Sequence, residues 1–137
     1  MNTKVKYVGV VSCSGEELPE GTTSRVACRK VLEDLRPGKS VTICLPLFVA
    51  GGEEERKFAT AYPTVTIDGC EKRCAAKATE KLSGKPAKCL VVSEILKEKG
   101  LPRPTKVRRL TQADKAAAQV VAEEIAKSID EILEKAE

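Results

Sequence analysis

Tyr7-Val8-Gly9-Val10-Val11-Ser12-Cys13-Ser14-Gly15 decides the reading of this chain: an apolar run too short for a helix core ends in a small, turn-forming triplet. That is the pattern of a buried strand entering a loop. Downstream, Thr23 or Ser24 can cap a helix to about Leu35, stopped by Arg36-Pro37-Gly38. Val41 to Leu45 alternates as a second strand before Pro46 ends it. A short helix follows over about 52–61, then a third strand, Thr64 to Asp68, closed by Gly69. A helix from near Cys70 to Gly84 precedes a fourth strand, Ala87 to Val92. Ser93 caps a short helix ending by Gly100, and Thr111 to Lys135 forms one long helix. Strands alternating with helices imply parallel pairing through right-handed crossovers. The expected fold is α/β, a three-layer sandwich with a four-stranded parallel sheet of order 2-1-3-4 and a long C-terminal helix. The alternation Thr64-Val65-Thr66-Ile67 stands against a central strand, which ordinarily reads as continuously apolar.

Composition narrows the chemistry. The 137 residues suit one core, read as an α/β region over 1–100 and a basic connector with its helix, 101–137, packed on the same domain. No apolar run approaches the roughly eighteen residues of a membrane span. Two Phe, two Tyr and no Trp leave little to stack on bases, and 24 basic against 20 acidic residues are too interspersed for a nucleic-acid footprint. There is no histidine, which removes imidazole from both catalysis and metal ligation, and there are six cysteines. The N-terminus lacks the apolar core of a secretion signal, so the expected compartment is the cytoplasm, where cysteines stay reduced.

In a parallel sheet the strand C-termini share one edge, where ligands bind near the switch point. Cys13, Cys44, Cys70 and Cys74 all fall at that edge by sequence. Cys70 and Cys74 are spaced to share one side of a helix start, at a zinc-ligand interval. Four such thiolates suit a tetrahedral Zn2+ site; an iron-sulfur cluster is the alternative with the same ligands. The loops must lean together to achieve this, because neighbouring strands are about 4.8 Å apart and zinc-bound sulfurs about 4 Å. Gly15 and Gly69 are the candidate hinges, and Asp68 is a second-shell acceptor, a ligand or a turn residue. Cys28 shares an apolar stripe with Val31, Leu32 and Leu35 and reads as core; Cys89 lies toward the opposite edge.

Thr66-Ile67-Asp68-Gly69-Cys70-Glu71-Lys72-Arg73-Cys74, preceded by Val11-Ser12-Cys13-Ser14-Gly15 and Ile43-Cys44-Leu45-Pro46, resembles the DGC-domain family, described as zinc-binding proteins. The resemblance covers roughly Val5 to Leu96. It implies Cys13, Cys44, Cys70 and Cys74 as metal residues and supplies no reaction.

Other chemistries fare differently. A C-x5-R phosphate loop would need arginine where Pro19, Ala50 and Ala76 stand, and nucleotide-binding glycine motifs are absent. A thiol-redox protein, or an enzyme using a cysteine or zinc at the same edge, stays open, with Glu16, Glu17, Asp68 and Arg25 as nearby acid, base and anion-binding candidates. The last helix carries Ala118, Ala122, Ile125, Ile129, Ile132 and Ala136 at three- and four-residue intervals. Such a seam either packs on its own domain, the commoner case, or joins a second copy as a homodimer. Arg103, Lys106, Arg108 and Arg109 form either a solvated connector or a patch for an anionic partner.

Overall fold

In the computed structural model, which describes residues 6–13 and 17–136, the sheet is built from β1 (Val8–Ser12), β2 (Ser40–Val41), β3 (Thr64–Asp68) and β4 (Lys88–Val91). All three pairings are parallel and the order is β2-β1-β3-β4, as expected. α1 (Pro19–Lys30) runs on into a π-helical turn, Val31–Leu35. Three single-turn helices, α2 (Leu47–Ala50), α3 (Glu53–Arg56) and α4 (Phe58–Ala61), replace the one expected before β3. α5 (Cys74–Leu82), α6 (Val92–Glu98) and α7 (Gln112–Lys135) complete the chain.

Two cores explain the alternation in β3. Val65 and Ile67 join Val8 and Val10 in a fully buried aliphatic layer with Val121, Ile125 and Ile129 of α7. Strand side chains alternate faces, so Thr64, Thr66 and Asp68 point the other way, toward α5. There the second core gathers Val11, Phe48, Phe58 and Ala75. The sheet is covered on both faces, but one cover is a short helix of small residues that leaves room for threonines. Cys28 is buried in the aliphatic layer, and burial pushes its thiol up to about 11.

Several boundaries move for local reasons. Pro19, whose fixed φ suits a first helical position, starts α1 earlier than a Thr or Ser cap would. Thr23 and Ser24 lie inside the helix and donate back to the Pro19 and Gly21 carbonyls. β2 stops after two residues. The Thr42 hydroxyl donates to the Val10 carbonyl at 2.6 Å, next to the point where the Gly9–Val41 pairing ends, and the chain leaves the sheet. Gly84 does not take the left-handed conformation expected of a helix cap; among the described glycines only Gly38 and Gly100 have positive φ. The expected hinge Gly15 lies outside the described residues.

The basic connector is docked. Arg103 pairs with Glu20 of α1, Thr22 donates to the Val107 carbonyl at 2.8 Å, and Pro104 is buried. At its end Thr111 caps α7 while Asp114 accepts from the Thr111 and Thr105 amides. These bonds, the Thr105 amide first, hold the Asp114 carboxyl below its ordinary range. A depressed carboxyl stabilises the fold above its unfolded value and loses that contribution as pH falls through its folded one. Wild type should therefore exceed Asp114→Asn in urea stability at pH 7, with the gap closing once the pH drops below about 4. A gap constant from pH 7 to 2.5 would show that the charge of Asp114 is not what holds this corner.

Candidate functional site

The C-terminal edge of β1 and β3 opens into a crevice of about 390 Å3, lined among others by Cys13, Leu18, Asp68, Cys70, Arg73 and Cys74. It lies at the switch point, where the chain leaves β1 toward one face and β3 toward the other. Three of the four cysteines expected at this edge reach it. Cys44 does not: β2 ends at Val41, Cys44 is exposed in the following loop, and Leu45 lines the crevice in its place. Glu17 and Asp68 line it as well, while Glu16 is outside the described residues.

Asp68, Gly69 and Cys70 have separate jobs. The buried Asp68 carboxylate accepts from the amides of Ala75 at 2.6 Å and Ala76 at 3.0 Å, so it caps the first turn of α5 from a neighbouring strand. Burial raises its carboxyl above the ordinary range, against the opposing pull of those two amides and of Arg73 and Lys77. Ionisation of Asp68 thus weakens the fold as pH rises through its folded value, the reverse of Asp114. Gly69 faces the start of α1 so closely that a Cβ there would lie 2.7 Å from the Gly21 nitrogen. Cys70 is the member of the triplet that is half-buried in the crevice wall.

Cys13 is a neutral thiol. Ser24 Oγ donates its single proton to the Gly21 carbonyl at 2.6 Å, so the 3.2 Å contact between Ser24 Oγ and Cys13 Sγ has the thiol as donor. Burial, the largest influence, pushes this thiol up, against the opposing pull of its hydrogen bonds to Ser24 and the Gly69 backbone. The expected shared helix face of Cys70 and Cys74 does not form either. Cys70 precedes α5 in a turn, Cys74 is its exposed first residue, and Arg73 between them sits in the left-handed region at φ 56°.

These placements correct the metal reading. Among the described residues no group of three or more His, Cys, Asp or Glu could hold a metal ion. The four-cysteine Zn2+ site of Cys13, Cys44, Cys70 and Cys74 is therefore overturned, and the iron-sulfur alternative with it, as is a metal ion as partner. All six cysteines are free, and no redox cluster forms. The physical reasons are the early end of β2, the hydrogen-bonded thiol of Cys13 and the occupation of Asp68 by α5. The zinc-enzyme alternative at the same edge falls with the cluster.

A family model for the DGC domain matches residues 9–132. The chain belongs to the DGC-domain family. The match extends past the cysteine segments into α7, which agrees with α7 supplying a third of the buried residues of the aliphatic core of this DGC domain. No curated protein and no solved structure matches the chain. Among the described residues of the DGC domain, no helix is long and apolar enough to cross a membrane.

A second, larger hollow of about 580 Å3 adjoins the first and shares Leu18, Cys70 and Lys72 with it. Its outer side is the connector, through Leu101, Arg103 and Pro104, and its inner side includes Ser93 and Lys97 of α6. Sequence reasoning gave Ser93 and Arg103 other roles and missed Lys97, Leu101 and Pro104. Glu20 and Arg103 are 83 positions apart, and nothing local in either segment announces the pairing.

Proposed function

We propose that this DGC-domain protein binds a small organic ligand in the crevice at the C-terminal edge of its parallel sheet. The observation that carries this reading is the half-enclosed 390 Å3 hollow at the switch point, a size and a place used for small ligands. Leu18 and Leu45 offer it apolar contact, Cys13 and Cys70 polarisable sulfur, and Lys72 and Arg73 charge at the mouth. Gly21 and Gly69 keep backbone in close approach on one side. Cys13, Cys70 and Cys74 are thus ligand-lining residues in this proposal. The six free thiols fit a reducing compartment, which supports a cytoplasmic site of action.

The test is a fragment panel titrated into isotope-labelled protein with amide shifts as the readout. Members with dissociation constants near about 1 mM should move Gly21, Gly69, Cys70 and Cys74 together. A panel whose shifts fall elsewhere, or scatter over the surface, refutes the crevice as the binding site.

A further inference from the structure

The two adjoining hollows carry matching charge. Lys72 and Arg73 stand at the first with Glu17; Lys72 and Lys97 stand at the second with Glu71. Two other charges are already answered. Asp68 is bonded to the α5 amides, and Glu20 is paired with Arg103. Lys72 belongs to both, so the joined hollows carry three cations, Lys72, Arg73 and Lys97, against the two remaining carboxylates of Glu17 and Glu71, and among the described residues none of the three cations is in an ion pair.

Between the charged ends the surface is apolar. Leu18 is 42% exposed and Leu101 37%, two of the few large hydrophobic side chains left open to solvent. Both line the second hollow beside Leu96, and Leu18 also lines the first. Exposed leucines on a concave surface gain when an apolar body covers them. A ligand confined to the first hollow would leave Lys97 and Leu101 uncovered, and one confined to the second would leave Arg73 uncovered.

We propose that the ligand is an elongated dianion with an apolar middle, one anionic group near Lys72 and Arg73 and the other near Lys97, its body crossing Leu18 and Cys70. This rests on the crevice being a ligand site and goes further in naming the class of ligand. Small dicarboxylates and bis-phosphorylated molecules share the required chemistry. The Glu20–Arg103 pair acts as a fixed part of the wall, because it ties the connector to α1 beside the second hollow.

Hexanoate and the α,ω-dicarboxylates from succinate to sebacate are the probes, titrated into the full chain with amide shifts as readout. The best diacid should bind at least about tenfold tighter than hexanoate, with an optimum chain length, and should move amides on both sides of Cys70. Lys97→Ala, at an exposed position whose side chain makes no ion pair among the described residues, should erase the diacid's advantage over hexanoate. Bis-phosphorylated alkanes of the optimum length then separate a phosphate ligand from a carboxylate one. Diacids no tighter than hexanoate, or an advantage that survives Lys97→Ala, overturn the two-hollow ligand while the crevice stands. A fragment panel that leaves Gly21, Gly69, Cys70 and Cys74 unmoved overturns both.

Discussion

Gly69→Ala is expected to destabilise the protein by about 3 kcal/mol, at the upper end of ordinary overpacking costs. The added methyl would sit 2.7 Å from the Gly21 nitrogen, 2.9 Å from the Glu20 carbonyl carbon and 3.0 Å from the Gly21 Cα. All three are backbone atoms of the first turn of α1, so no side chain can rotate away. Relief requires α1 to move off the β3 loop. That turn is pinned by Pro19 in its first position, by the Glu20–Arg103 pair and by Thr22 bonding to Val107, so the movement would disturb the connector as well. The Ser93 amide bond to the Gly69 carbonyl would also lengthen from its 3.4 Å. Urea unfolding reads the loss as a lower midpoint with an unchanged slope. A variant within about 0.5 kcal/mol of wild type would mean that α1 slides freely over this loop, contrary to the packing described.

The strand order was legible because each strand is a short segment between helices, with Gly15 and Gly69 following the first and third in the sequence. The long helix expected over Thr111 to Lys135 matches α7 to within a residue. Hidden features depend on side chains meeting across the fold. Val41-Thr42-Ile43 alternates as a strand should, yet the Thr42 hydroxyl bonds the neighbouring strand's carbonyl and the pairing ends. Ser24 looks like a helix cap until Pro19 starts the helix a turn earlier and leaves Ser24 free to meet Cys13. The site was legible at one level only. Strand direction places a residue at an edge, and Cys13, Cys70 and Cys74 do line the crevice there. Whether thiols converge is a question of ångströms, decided by how loops lean and by what else claims each polar group. Here α5 claims Asp68 and Ser24 claims the Cys13 proton, neither of which spacing can reveal.

Loss of α7 should abolish folding rather than merely expose a surface. Ala118, Ala122, Ile125 and Ile129 are buried against the chain's own core, where Val121, Ile125 and Ile129 close over Val8, Val10, Val65 and Ile67. Each buried aliphatic side chain stabilises by roughly 2 kcal/mol, and the strand residues beneath would lose their cover at the same time. A domain of this size is stable by only about 5–15 kcal/mol. A chain ending at Arg109 also loses Asp130, the partner of Arg36, and Asp114, which holds Thr105. It should show no cooperative unfolding transition and should bind hydrophobic dyes. Because truncation removes many contacts together, Ile125→Ala isolates the packing itself. It should cost about 4 kcal/mol, since a fully buried isoleucine in a closed layer leaves a cavity that β1 and β3, hydrogen-bonded to each other, cannot collapse to fill. A cost below about 1 kcal/mol, or a truncated chain that unfolds cooperatively, would show that the sheet's aliphatic face is stable without α7.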